Sequence, residues 1–270
     1  MGRKIRLDVL LVEKGYIETR EKAKRTIMAG LVFSEQERLD KPGVKVDENL
    51  PITVKGKAIP YVSRGGLKLE KALKEFDIQV KDKIMIDIGS STGGFTDCGL
   101  KNGVRLSYAI DVGYNQLDWG LRNHPQVVVM ERTNFRYVTL EDLAYGPPEF
   151  ASIDVSFISL RIILPVLAKL LTRGGDVAAL IKPQFEAGRE QVGKKGIVRD
   201  AKIHTDVIYN ILGFAKQHGF SAKGLTFSPI TGGDGNIEFL VHLCLDGAKT
   251  ELSPAKVDDV VKTAHEAHNG

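Results

Sequence analysis

The stretch Ile86-Asp87-Ile88-Gly89-Ser90-Ser91-Thr92-Gly93-Gly94-Phe95-Thr96 decides the fold. It reads as an apolar strand that runs into a glycine-rich turn and then a helix. Glycines let backbone approach a ligand closely, and a helix start offers free N–H groups. The spacing is Gly-x-x-x-Gly-Gly, not the Gly-x-Gly-x-x-Gly that presses backbone donors against a dinucleotide pyrophosphate. A sulfonium nucleoside has no phosphate and needs room for an amino-acid moiety. A glycine turn after a strand is often just a turn, so its neighbours carry the weight.

Outward from this turn, apolar strand-like runs alternate with helical stretches. The runs are Ile84–Ile88, Leu106–Ile110, Val127–Met130, Phe150–Ile153 and 177–181, with helical segments such as 115–122 and 158–171 between them. Continuous apolar strands separated by helices indicate a parallel sheet covered on both faces. Ser221–Phe227 and 237–245 follow with only a loop between them, so they read as an antiparallel hairpin closing the sheet. After Ser253 comes a polar helix, with Asn269-Gly270 fraying at its end.

The front of the chain differs. Leu7, Leu10 and Leu11 lie at helical spacing and Gly15 stops them; Thr19 is an N-cap for a stripe of Ala23, Ile27 and Met28 that ends at Gly30. Short alternating pieces follow, and Lys55-Gly56-Lys57 with Pro60 reads as a linker. Residues 1–60 hold 13 Lys/Arg against 9 Asp/Glu, which accounts for the whole +4 of the chain. Such asymmetry points to a module that meets a polyanion, although a lysine-rich solvated surface has the same composition. The candidate phosphate contacts are Arg3, Lys4, Arg6, Arg20, Lys22, Lys24 and Arg25, with Arg64 at the junction.

Composition excludes several classes. No apolar run approaches the roughly 20 residues that span a bilayer, and the N-terminus lacks a secretory h-region. The two cysteines, Cys98 and Cys244, have no close Cys or His partner, so neither a disulfide framework nor a zinc site is expected and a reducing cytoplasm is. A membrane-lytic protein would need a long amphipathic element; 158–171 is apolar but carries Arg161, Pro165 and Lys169, as a sheet-covering helix does. No membrane partner and no required protein partner is expected. The six histidines sit outside every motif and receive no role.

Around the glycine turn stand the candidate site residues. The turn supplies Asp87, Gly89, Ser90, Ser91, Gly93, Gly94 and Phe95. Asp111, after the second strand and beside Val112, can accept both ribose hydroxyls. Asn134 and Phe135, after the third, offer an amide and an aromatic for adenine. Asp154 ends the fourth strand, where open α/β sheets place their active sites. The (Asp/Asn)-Pro-Pro-aromatic turn that suits exocyclic amines is absent. A ribose hydroxyl makes a different demand: it must be oriented and relieved of its proton, which calls for lysine and carboxylate side chains. Lys68, Lys182 and Glu238 are such residues. Singly, Lys68 also reads as a solvated helix residue and Glu238 as an edge carboxylate. Lys182 follows five apolar residues and precedes a proline, which is harder to dismiss.

The sequence resembles the hemolysin-A (TlyA) family of ribosomal RNA 2′-O-ribose methyltransferases over about residues 3–250. The resemblance rests on Ser63-Arg64-Gly65-Gly66-x-Lys68-Leu69, Asp87-x-Gly89-x-Ser91-Thr92-Gly93-Gly94-Phe95-Thr96, Asp111-Val112-Gly113-Tyr114-x-Gln116-Leu117, Glu131-Arg132-Thr133-Asn134, Asp154-x-Ser156-Phe157-Ile158-Ser159-Leu160 and Lys182-Pro183-Gln184-Phe185-Glu186. It implies an α/β, Rossmann-like class I methyltransferase with a mostly parallel seven-stranded sheet, preceded by a small α+β RNA-binding domain like that of ribosomal small-subunit protein four. The implied boundaries are 1–58 for the RNA-binding domain, 59–62 for the linker, 63–250 for the methyltransferase and 251–270 for a C-terminal helix. The implied catalytic tetrad is Lys68, Asp154, Lys182 and Glu238, with S-adenosylmethionine as methyl donor and no metal. The implied substrate is the 2′-hydroxyl of cytidine in ribosomal RNA, with ribosomal subunits as partners.

Overall fold

The computed structural model describes residues 3–35, 37–55, 59–232, 234–248 and 252–269. The front-domain end at 58, the Gly56-Lys57 part of the linker and Gly270 lie outside the described residues. The chain divides into two units, Met1–Arg64 and Gly65–Gly270.

The first unit runs β1 (Lys4–Arg6), α1 (Leu7–Glu13), α2 (Arg20–Met28), β2 (Val32–Ser34), β3 (Glu37–Arg38), β4 (Lys45–Asp47) and β5 (Thr53–Val54). Leu7, Leu10, Leu11, Ala23 and Ile27 are buried together with Val32, so the helical stripes read from sequence form one core. Thr19 caps α2, its hydroxyl accepting the Lys22 N–H at 3.3 Å. Asp8, on α1, is fully buried. Burial alone would raise its pKa, but hydrogen bonds from Arg6 and Arg20, each 3.0 Å, outweigh that and hold the carboxyl below its ordinary value.

The second unit runs α3 (Gly66–Glu75), β6 (Ile84–Ile88), α4 (Gly94–Lys101), β7 (Leu106–Ile110), α5 (Trp119–Arg122), β8 (Val127–Met130), β9 (Phe150–Ile153), α6 (Leu160–Leu170), β10 (Asp176–Ile181), α7 (Pro183–Glu186), α8 (Ala201–Gln217), β11 (Ser221–Phe227), β12 (Phe239–Cys244) and α9 (Pro254–Asn269). The seven strands lie in the order β11-β12-β10-β9-β6-β7-β8. All neighbours are parallel except that β12 runs antiparallel to both β10 and β11. The last two strands do pair as an antiparallel hairpin that closes one end of the sheet, with β12 lying between β10 and the edge strand β11. β6 is buried along its whole length, as a central strand covered on both faces must be. On α6, Leu160, Ile163, Leu164, Leu167 and Leu170 form the buried stripe against that sheet.

The chain order reverses beside β6: β7 lies on one side of it and β9 on the other. Ligands bind at such a switch point, outside the carboxyl ends of the strands. The glycine turn after β6 and Asp154 after β9 both end there. The backbones touch, for a Cβ at Gly89 would come within 2.5 Å of the Asp154 carbonyl oxygen, and Gly89 sits at φ +84°. Glycine is required at 89 on both counts.

The histidines do have roles. His204, fully buried on α8, bonds the Val198 carbonyl at 3.1 Å and His265 on α9 at 3.0 Å. A carbonyl only accepts, so His204 Nε2 carries the proton and Nδ1 accepts from His265. His268 bonds the Ser228 carbonyl at 3.0 Å. Burial, with the neighbouring His265, pushes the His204 pKa down to about 4. The unfolded chain therefore takes up this proton first. Stability conferred by neutral His204 is complete above pH ~6.5 and is lost as pH falls toward 4, by up to about 3 kcal/mol. Urea unfolding at pH 7 and pH 5 measures this, and His204→Asn is expected to flatten the dependence. An identical pH slope in the variant would remove the assignment.

Candidate active site

Four charged side chains from four separate segments meet at the switch point. Lys68 on the first turn of α3 donates to Glu238 Oε2 at 2.6 Å and lies 3.5 Å from Asp154 Oδ2. Lys182, at the end of β10, pairs with Asp154 Oδ1 at 2.5 Å and donates to Ser156 Oγ at 3.2 Å. The result is a chain Glu238–Lys68–Asp154–Lys182 of alternating charge. Lys68, Lys182 and Glu238 are buried, and the Asp154 side chain is 20% exposed, the most open of the four.

Local sequence explains the placement. Pro183 at the first position of α7 stops β10 and leaves Lys182 as the residue before the helix. β12 begins at Phe239, so Glu238 stands just outside the strand rather than within it, while Ile237 and Phe239 enter the core. Burial opposes charge on Lys68, but Asp154 and Glu238 outweigh it and its pKa is raised. Burial likewise opposes charge on Asp154, but Lys68 and Lys182 outweigh it and its pKa is lowered. Lys68 and Asp154 are both ionised at neutral pH.

The glycine turn lies against this cluster. Gly93, at φ +96°, has no room for a Cβ, which would meet Leu121 Cδ1 at 2.4 Å. Asp111 ends the neighbouring strand and accepts the Ser91 N–H at 2.8 Å and the Gly113 N–H at 2.7 Å, which ties the two loops together. Each of its oxygens keeps a further lone pair. Val112 beside it is 72% exposed, an apolar surface next to a carboxylate. Left-handed glycines, a carboxylate and an adjoining apolar face are what a nucleoside requires, so these residues fit S-adenosylmethionine.

Other expected contacts fall elsewhere. Asp87 is fully buried and accepts from Thr96 N, Thr96 Oγ1 and Ser152 Oγ at 2.7–3.0 Å. Burial raises its pKa to about 6 despite those bonds. Its carboxylate fixes the start of α4 and so shapes the turn from beneath. Phe135 is buried in the sheet core, so its ring does not offer adenine a face; the apolar side chain is worth more in the core than at a polar rim. Phe95 and Ser90 are also buried, while Asn134 is half-buried and accepts the Arg136 N–H at 3.2 Å.

Three organising residues stand in the stretches that carry the family resemblance, yet sequence alone gives them no role. Ser156 meets Lys182. Glu186 accepts Ser159 Oγ at 2.5 Å and Leu160 N–H at 2.7 Å, and so holds the loop between Asp154 and α6. Glu131 accepts the N–H groups of Asn115, Gln116 and Leu117 and a 2.6 Å bond from Arg122. The Arg122 bond leads in holding its carboxyl near 2. That capture explains why the helix expected over 115–122 shrinks to Trp119–Arg122.

The basic residues of the first unit divide in two. Arg6 and Arg20 are committed to Asp8. Lys22 pairs with Glu18 at 2.6 Å, Lys24 with Glu21 at 2.8 Å and Arg3 with Glu13 at 3.9 Å. Lys4 is exposed, and Arg25 and Arg64 are half-buried.

Comparison with known proteins gives three findings. Residues 61–245 match the FtsJ-like methyltransferase family, and residues 5–52 match the S4 domain. The Bacillus subtilis protein YqxC is 66% identical over 267 residues, 99% of this chain and 95% of that protein. The 16S/23S rRNA (cytidine-2′-O)-methyltransferase TlyA of Mycobacterium tuberculosis is 38% identical over 98% of both chains. A solved Streptococcus thermophilus structure named for a hemolysin superposes with TM-score 0.81 at 55% identity and covers 100% of this chain and 98% of its own. Among the described residues no helix is long and apolar enough to cross a membrane.

Proposed function

We infer the reaction from the premise that this chain belongs to the hemolysin A (TlyA) family of FtsJ-like methyltransferases: it transfers a methyl group from S-adenosylmethionine to the 2′-hydroxyl of cytidine in ribosomal RNA, within assembled subunits. The observation that carries this reading is the convergence of Lys68, Asp154, Lys182 and Glu238 against the glycine turn. A ribose hydroxyl needs such charged side chains, and an exocyclic amine would instead need carbonyl acceptors.

Bound S-adenosylmethionine would supply a methyl on a positively charged sulfur, which departs with the C–S electron pair. The protein's own part is position and field. Lys182 holds the 2′-oxygen, and its positive charge eases loss of the hydroxyl proton, which passes to solvent as the O–C bond forms. Asp154 keeps Lys182 in place and faces the methyl donor. Lys68, held by Glu238, keeps Asp154 ionised and oriented. Gly89, Ser91, Gly93 and Asp111, with Val112, hold the nucleoside. The S4 domain, with Lys4, Lys22, Lys24 and Arg25 among its basic residues, holds RNA phosphates, and Arg64 adds to them.

Mapping 2′-O-methyl groups on ribosomal RNA from cells with and without the gene tests the reading. A cytidine methylated only when the gene is present is expected; identical maps would reject it.

A further inference from the structure

Beyond the catalytic cluster, the second unit carries a basic loop that its balanced overall charge conceals. We propose that Lys194, Lys195 and Arg199 form a phosphate-binding surface for the RNA strand that carries the target nucleotide. This rests on RNA being the substrate.

The three side chains are exposed and, among the described residues, none is engaged in an ion pair. They line an open concavity of about 560 Å³ with Gln191, Gly193 and Ile197. The one carboxylate on its wall, Asp200, is occupied in capping α8, where it accepts the Lys202 N–H at 2.8 Å. Three cations against one carboxylate leave the concave face with a surplus of positive charge, which suits a polyanion.

The loop is built rather than loose. Lys195 at φ +73° and Gly196 at φ +72° place two consecutive residues in the left-handed region, a conformation a lysine adopts only when its surroundings enforce it. Those surroundings are visible. Gly193 N–H donates to the Ile197 carbonyl at 3.0 Å. Asn236, buried, donates to the Gly196 carbonyl at 2.9 Å and accepts the Val198 N–H at 3.0 Å. The Val198 carbonyl takes the bond from His204. A loop ordered before binding loses little entropy on binding.

Its position ties it to the chemistry. The loop leaves α7, which follows Lys182 directly, and Asn236 stands two residues before Glu238. A backbone seated on Lys194, Lys195 and Arg199 thus meets a loop bonded to the segment that carries Glu238. The surface belongs to the second unit, whereas the basic residues of the S4 domain belong to the first.

The test is the full-length Lys194→Glu/Lys195→Glu/Arg199→Glu protein against unmodified ribosomal RNA over a range of salt concentrations, with the corresponding Gln triple variant as a milder change. The RNA Kd is expected to rise at least ~10-fold, and the slope of log affinity against log salt to flatten by about 2, as expected for three single-strand phosphate contacts. S-adenosylmethionine affinity, measured by calorimetry, is expected to stay unchanged, and the Gln variant to fall between. Wild-type protein that methylates the RNA while both variants bind it with unchanged affinity and slope overturns the surface alone. Wild-type protein that neither binds nor methylates the RNA overturns the surface and the methyl-transfer reading together.

Discussion

Lys182→Ala is expected to lower methyl transfer by at least ~10³-fold while leaving S-adenosylmethionine affinity nearly as it was. The side chain sits 2.5 Å from Asp154 and 3.2 Å from Ser156 at the end of β10, whereas the glycine turn and Asp111 follow other strands. On the proposed reading, removing it takes away the group assigned to the 2′-oxygen and leaves the proposed nucleoside pocket in place. The loss belongs in kcat, since the interaction strengthens as charge develops on oxygen. Single-turnover methylation with cofactor calorimetry separates the two. Transfer at an undiminished rate would remove Lys182 from the role given to it, and a parallel loss of cofactor affinity would make it a pocket residue.

The second large effect concerns stability. Glu238 is 2% exposed and has Lys68 at 2.6 Å. Lys68→Ala leaves a buried carboxylate without its cation, a change that typically costs about 3–5 kcal/mol. Replacing both partners by apolar residues of similar volume, Lys68→Met/Glu238→Leu, removes the uncompensated charge and is expected to recover most of that loss. It is not expected to recover methylation, because Asp154 still lacks Lys68. Urea unfolding and methylation of the two variants check both halves. A double variant as unstable as the single one would mean the pair is not energetically coupled. A double variant that methylates would mean the pair serves only the fold.

The parallel core was legible because its signal is local. Ile84–Ile88 and Phe150–Ile153 are apolar runs bounded by turns, and both are strands with those limits. The convergence of Lys68, Asp154, Lys182 and Glu238 was legible only through the family resemblance joined to strand-end positions, since Lys68 and Glu238 lie 170 residues apart. What stayed hidden depends on distant partners. The amides of 115–117 are captured by Glu131, which cuts a helix short. β12 enters between β10 and β11, a choice of neighbour that alternation does not encode. Phe135 followed a strand end like a ligand contact yet is drawn into the core. Arg6 and Arg20 counted as surface charge until buried Asp8 claimed them. The basic loop vanished in the average, since the chain from residue 61 onward has equal numbers of acids and bases.

The most direct measurement uses purified protein, radiolabelled S-adenosylmethionine and unmethylated ribosomal RNA, followed by alkaline hydrolysis. Alkali cleaves RNA through a free 2′-hydroxyl, so methylation there leaves the label in an uncleaved dinucleotide. Label in alkali-resistant dinucleotides, absent with Lys182→Ala, is the expected result. Label on single nucleotides, or none transferred to RNA, would contradict a cluster built to act on the ribose.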